Sequence, residues 1–387
     1  MSTAGTVVIG AGVIGSSVAW HLASAGARDV LVVDAATGPD GGSTARATGG
    51  FRAQYGTAIN VRLSLLARAK LRRFADEVGA DPGYLPAGYL WIATDPEQLS
   101  TLADAQAVQH AEGLHEAVLV TGDDVLRLQP AVERAGITGG AFCPTDGYIR
   151  PRAIQGGYRE AAVRLGVRFA WEQPVTGFAQ APSGAITAVR TTRESITCDT
   201  VVNAAGAWAG RVAGLAGIDL PVTPLRRQMA VTVPTRAIPA EAPMTLYCGS
   251  GFHFRERDGR VIFSWPTPGA AFDPFDTSVE PAWLQSVAEM RDRLVPVLRG
   301  VPLDPTASWA GLYEMSPDRH ALLGAAAAVP NFFLVNGSSG HGVMHAPALG
   351  QLLAEIVLDG KASSLDVASL APDRFARGRA IPAPEVL

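Results

Sequence analysis

The chain has 387 residues, 48% of them apolar, enough to bury one large core or two moderate ones and long enough for two or three domains. Its 32 basic and 36 acidic residues leave a formal charge of -4 without a Lys/Arg run able to track a phosphate backbone, which excludes nucleic acid as a partner. Three scattered cysteines, Cys143, Cys198 and Cys248, suit neither a disulfide framework nor a cysteine-based zinc site; with no secretion signal and no apolar run near the ~20 residues of a membrane span, a cytoplasmic protein without a metal is expected.

The first element is a short buried strand, Val7-Val8-Ile9, that runs into Gly10-Ala11-Gly12-Val13-Ile14-Gly15 and then a helix from Ser16 to Ala25 closed by Gly26. Each glycine has a task in binding a dinucleotide. Gly10 permits the tight turn, Gly12 lets the backbone approach a pyrophosphate, and Gly15 lets helix and strand pack closely. The helix N-terminus presents unpaired N–H groups to the phosphates. A second strand, Val30 to Val33, ends at Asp34, 19 residues after Gly15, where a carboxylate can accept from ribose hydroxyls and disfavours a 2'-phosphate. Both FAD and NAD use this unit, so it does not choose between them.

The next stretch, Gly41 to Arg52, is rich in small residues and carries Arg46 and Arg52. Such a loop suits a bulky cofactor that continues past the pyrophosphate, and it equally suits an ordinary flexible loop. Strand-like alternation then marks Tyr89 to Thr94, Arg226 to Val233 and Arg260 to Trp265, with a helix over Trp283 to Leu298. Val201 to Ala205 reads as a buried strand closed by Gly206. Near the end come a strand (Phe332 to Val335), a glycine-rich loop (Gly337 to Gly342) and an amphipathic helix (His345 to Leu358). The proline-bearing tail, Ala380 to Leu387, is expected to be a surface strap or loosely ordered.

Four stretches together resemble the D-amino-acid oxidase superfamily of flavoproteins, in the branch of sarcosine oxidases, glycine oxidase, dimethylglycine dehydrogenase and the beta subunits of dye-linked proline dehydrogenases. They are Gly10 to Gly15 with Asp34, Gly42 to Gly56, Val201 to Trp208, and the C-terminal pair Ala310 to Asp318 and Gly337 to Pro347. The resemblance implies an α/β chain with a glutathione-reductase-like FAD fold. A Rossmann-like FAD-binding domain would come from residues 1–88, 145–218 and 306–387, and a discontinuous antiparallel-sheet substrate domain from 89–144 and 219–305 would roof the flavin.

Carried over residue by residue, the resemblance implies that FAD is held by Gly10, Gly12, Val13, Ile14, Gly15 and Asp34. The small-residue loop would add Ser43, Thr44, Arg46, Thr48, Gly49 and Gly50, and the middle segment Ala205, Gly206 and Trp208. From the C-terminal pair it implies Gly311, Gly337, Ser339, Gly340, His341, Gly342, Val343 and Met344. There the glycine-rich helix entry would favour negative charge gathering on reduced flavin. Arg52 is the candidate clamp for a substrate carboxylate, with His341 and Tyr313 as further catalytic candidates; His253, His345 and Tyr247 are weaker ones, each with a structural alternative.

Three departures limit the transfer. Met344 stands where relatives place a second, carboxylate-binding lysine, and Ile262 falls where a lysine assists oxygen. Gly311 and Arg46 occupy the places of covalent flavin attachment, so dissociable FAD is expected. The implied activity is hydride transfer from the C–N bond of an N-methyl amino acid such as sarcosine, of proline or a related imino acid, or of glycine, giving an imine that hydrolyses. The electron acceptor (oxygen, quinone or protein) and the homo- or hetero-oligomeric state stay open. Two alternatives stand beside this reading: a flavin-binding subunit or assembly factor of a larger complex, and an NAD-linked dehydrogenase.

Overall fold

Strands that are apolar on both faces need cover on both sides, and this requirement builds the first layer of the computed structural model, which describes residues 2–266 and 275–382. β1 (Ser2–Ile9) pairs in parallel with β2 (Val30–Val33) on one side and β11 (Ser195–Asn203) on the other. β8 (Arg168–Ala170) extends the sheet past β2 and β18 (Phe332–Asn336) past β11, both in parallel. β17 (Leu322–Ala325) closes one edge antiparallel, and the hairpin of β9 (Val175–Gln180) and β10 (Ile186–Thr191) branches from β11. One face is buried under α1 (Val13–Ser24), α2 (Ala58–Arg72), α6 (Pro151–Arg164) and α9 (Gly342–Asp359). The opposite face packs on the hairpin and α7 (Ala209–Gly214).

The second layer is an eight-stranded sheet in the order β16 (Trp309–Met315), β12 (Thr223–Val231), β15 (Arg260–Ser264), β14 (His253–Arg257), β13 (Met244–Tyr247), β4 (Tyr89–Ala93), β6 (Gly139–Cys143) and β5 (Val118–Thr121). The antiparallel pattern expected from sequence needs one correction: β13 and β4 run in parallel, because β4 enters from the first layer more than 140 residues earlier and no hairpin joins the two. β16 falls in the 306–387 stretch assigned from sequence to the cofactor domain, yet it is hydrogen-bonded to β12 from Trp309 to Met315. The face of this sheet that carries Leu90, Ile92, Phe254 and Phe263 packs on α8 (Pro281–Leu294) and α5 (Gly122–Leu128).

Links between the layers are short. α3 (Phe74–Val78) continues α2, α4 (Pro96–Ala111) follows β4, and β3 (Gly50–Phe51) pairs with β7 (Gly147–Tyr148) between the sheets. α8 ends at Leu294, earlier than the expected Leu298, because Pro296 cannot continue the ladder. The turn after β16 is fastened by a buried pair in which Arg374 Nε and Nη2 donate to Asp318 at 2.8 and 2.7 Å. Ile381 of the expected C-terminal strap donates its amide to the same carboxylate at 3.0 Å, and residues 383–387 lie outside the described residues.

Candidate active site

The three central parallel strands end side by side, and their glycine-rich exits leave a cavity of about 720 Å³ between the layers. Gly10 follows β1 at φ 104° and lies so close to β11 that a Cβ would stand 2.4 Å from the Ala204 carbonyl oxygen. Gly15 lies against Gly10 itself; it does not line the cavity but allows α1 to approach the strand. Asp34, at the end of β2, accepts from the amides of Ala11 and Ala36 at 2.7 and 2.8 Å while lining the cavity. The Val13 amide donates to Thr44 Oγ1 at 3.0 Å, so this helix-terminal donor is already taken by the protein. The remaining first-turn amides of α1 have no preceding turn to bond.

The small-residue loop lies across this opening and is stitched to β16. Ser43 Oγ donates to the Leu312 carbonyl at 2.7 Å, and Trp309 Nε1 donates to the Arg46 carbonyl at 2.7 Å. Ser43, Thr44 and Arg46 line the cavity, as do Gly12, Val13, Ile14, Ala205, Gly206, Trp208, Gly311, Tyr313, Gly340, Gly342 and Val343. A second helix N-terminus, that of α9, therefore opens on the same space as that of α1. A nucleotide acid site, two donor-bearing helix ends and a channel reaching the second sheet fit a dinucleotide with a long head group.

Several expected cofactor contacts sit elsewhere. Thr48 faces His253, Ile262 and Ser264 of the second sheet; Gly49 and Gly50 lie at the β3–β7 ribbon, with Arg255 Nη1 donating to the Thr48 and Gly49 carbonyls at 3.3 Å. Gly337 packs on Ser316 and Leu322, and Ser339 Oγ accepts from the Ser316 amide at 3.1 Å, so both shape the loop rather than line the cavity. Met344 is turned toward Tyr55, whose hydroxyl donates to its sulfur at 3.1 Å. His345 bonds Ser64 at 2.8 Å within the core, and Tyr247 reaches the Leu294 carbonyl behind the second sheet, and neither lines the cavity.

Arg52 and His341 do not line the main cavity; they pair with each other just behind its wall, where Gly340 packs on Tyr313. Arg52 is 7% exposed, with its guanidinium 4.1 Å from the Tyr55 ring centroid and 4.8 Å from that of Trp91. It donates to the Gln54 carbonyl at 3.0 Å and to His341 Nε2 at 3.3 Å, and among the described residues no carboxylate pairs with it. The nearby Trp91 Nε1 is buried without an acceptor. Burial, with Arg52 adding to it, holds the His341 imidazole well below its ordinary range, so the neutral ring accepts from Arg52. Behind Arg52, Asp146 accepts from the amides of Ala53 and Gln54 at 2.9 and 3.3 Å, fixing the loop; burial pushes its carboxyl up to about 6.

Sequence reasoning missed part of this site. Gln173 and Pro174, between β8 and β9, and Val175, which begins β9, line the cavity, as do Arg227, Met229 and Glu314. Glu314 is buried, its Oε1 accepts from the Ser338 amide at 3.3 Å, and its Oε2 has no partner among the described residues. Burial pushes this carboxyl up to about 7. A lone acid inside the apolar strand Trp309–Met315 was a readable signal; the fate of Arg227 was not, because the doublet Arg226-Arg227 puts one cation on each face of whatever strand holds it.

Fold and cavity define a two-layer dinucleotide-binding protein of the flavoprotein type, with the cofactor between a parallel and a mostly antiparallel sheet. The chain belongs to the FAD dependent oxidoreductase (DAO) family, which it matches over residues 6–356, and FAD is its cofactor. It is 27% identical to the FAD-dependent oxidoreductase domain-containing protein 1 of Xenopus laevis over 96% of this chain and 82% of that protein. It is 28% identical to the mitochondrial dimethylglycine dehydrogenase of Rattus norvegicus over 96% of this chain, spanning only 45% of that relative. The L-proline dehydrogenase structure from P. horikoshii is similar with a TM-score of 0.89 at 27% identity, covering 97% of this chain and 99% of that one. Among the described residues no helix is long and apolar enough to cross a membrane, and no cluster suited to a metal ion is found.

Proposed function

We propose that this enzyme oxidises the C–N bond of a small amino acid or N-methyl amino acid whose carboxylate is held by Arg52. The observation that carries this reading is the buried guanidinium, sandwiched between Tyr55 and Trp91 with donors to spare and, among the described residues, no carboxylate of its own. FAD, when bound, supplies the hydride acceptor at N5, and the imine product hydrolyses. His341, kept neutral, orients Arg52 through their hydrogen bond, and the Tyr313 hydroxyl is free to meet substrate. Nearby cationic groups disfavour the ammonium and so favour the uncharged amine, whose nitrogen lone pair forms the C=N bond as the hydride leaves.

The names of the relatives, dimethylglycine dehydrogenase and L-proline dehydrogenase, support a secondary or tertiary amine as donor. The cofactor half would comprise 1–88, 145–218 and 306–387, and the substrate half 89–144 and 219–305, with β16 shared. Flavin would be held without a covalent bond, since Gly311 packs directly on Arg46 and neither offers a linking atom. Ile262, apolar and buried, supports slow reaction with oxygen and hence a quinone or protein acceptor. Three buried free cysteines support a reducing compartment, the cytoplasm.

The test is anaerobic bleaching of the bound flavin by amino acids and N-methyl amines. Arg52→Lys keeps the charge but loses the planar fork and is expected to slow reduction; Arg52→Ala leaves a carboxylate unpaired, a loss of ~3 to 5 kcal/mol, or about two to four decades at low substrate. FAD content should stay full in both. Normal reduction in Arg52→Ala by the same amino acids would remove Arg52 from the site.

A further inference from the structure

Adjacent arginines on β12 meet opposite fates. Arg226 faces away from the cavity and is neutralised by Asp276 at 2.6 Å and by Glu280. Arg227 faces the cavity, its guanidinium 5.7 Å from the Tyr313 ring centroid, and among the described residues it has neither an ion pair nor a hydrogen bond. Arg227 is half-buried and burial lowers its pKa, so its charge is held at a cost that no carboxylate among the described residues offsets. Arg227 is therefore a second unpaired cation among the described residues, on the cavity wall where Arg52 stands just behind it. Both act on the same two side chains: Arg52 and Arg227 each oppose the burial-driven rise of the Tyr313 pKa, and each depresses His253 further. Tyr313 links the two in space: its ring lies 5.7 Å from the Arg227 guanidinium and packs on Gly340, whose neighbour His341 accepts from Arg52 at 3.3 Å.

A substrate with one carboxylate would leave one of the two cations desolvated and unmatched. We infer that the substrate is dianionic, an amino or imino acid with a second carboxylate: the first binds Arg52 and the second binds Arg227, with the reacting C–N bond between them beside Tyr313. This inference rests on the amino-acid reading above and narrows it. A second charge-assisted contact should tighten binding about ten- to hundredfold over the matching monocarboxylate.

Two measurements on the FAD-loaded enzyme test it. In calorimetric titration with non-oxidisable acids, malonate, succinate and glutarate are compared with acetate, propionate and butyrate. In anaerobic bleaching, N-methylaspartate and N-methylglutamate are compared with N-methylalanine and N-methyl-2-aminobutyrate. At least one dicarboxylate should exceed its monocarboxylate partner by tenfold or more in both assays. Arg227→Met should collapse that ratio toward one, with Arg227→Lys recovering part of it. Dicarboxylates that bind and react no better than monocarboxylates would overturn the inference while leaving the amino-acid reading intact. An unchanged ratio in Arg227→Met with lowered FAD content would also overturn it, making Arg227 a cofactor contact. If no amino acid of either kind bleaches the flavin, the amino-acid reading fails and this inference falls with it.

Discussion

Two carboxyl groups in the cavity obey opposite demands, and each gives a prediction. Asp34 is anchored by two backbone amides and keeps its remaining lone pairs toward the cofactor space. Asp34→Ala should weaken FAD binding by ~1.5 to 3 kcal/mol, the worth of hydrogen bonds to a charged acceptor, and an unchanged dissociation constant would show it to be only a strand end. Glu314 is instead an acid that burial raises to about 7. Below the unfolded value near 4.5 it is protonated in both states, and between 4.5 and 7 the folded chain keeps a proton that the unfolded chain releases. Its contribution is thus present at low pH and lost as pH rises through about 7, by an amount on the order of 3 kcal/mol. In denaturant unfolding, Glu314→Gln should gain on the parent protein between pH 5 and 8; parallel pH curves would refute this.

At the scale of elements, the entry to α9 shows how a backbone conformation shapes the cavity. Gly340 holds φ 92°, and a Cβ there would lie 2.5 Å from the Tyr313 ring. Gly340→Ala therefore combines a left-handed alanine, ~1 to 2 kcal/mol, with a displaced Tyr313. The melting temperature should fall modestly, whereas flavin reduction should fall at least tenfold; equal activity would mean that Tyr313 has room to move.

The elements that the sequence made legible are those with local causes. The strand, glycine turn and helix from Val7 to Ser24 are decided by neighbours, and so is the helix that starts near Gly342. What was hidden arises from pairing at long range. No local pattern says that β4 will lie parallel to β13, that β16 will join the second sheet, or that Arg227 rather than Arg226 will face the cavity. Thr48, Gly49 and Gly50 are ambiguous for a related reason: small residues mark close backbone approach, but not whether the approaching partner is a cofactor or a protein element such as β7 and Arg255, which these three meet.

For the whole molecule, the cofactor space is walled by both sheets, so FAD binding should stabilise them together. At a free concentration one hundred times its dissociation constant, FAD adds about 2.7 kcal/mol, which for a chain of this size is a rise of roughly 3 °C in melting temperature. Fluorescence from Trp91 in the second sheet and from Trp20 on α1 should report the same shift; separate transitions would show that the layers unfold independently.

The lining of that space begins at Ile9 and is finished only by Gly342 and Val343. During synthesis, at ~5 to 20 residues per second, the nucleotide-binding turn is complete within seconds, yet it waits for nearly the entire chain before it has a partner wall. FAD can therefore be enclosed only after the chain has been made through Val343. How much of the protein is active in a cell would then follow the flavin supply present after translation, and a chain stopped before Gly342 should remain colourless however much FAD surrounds it.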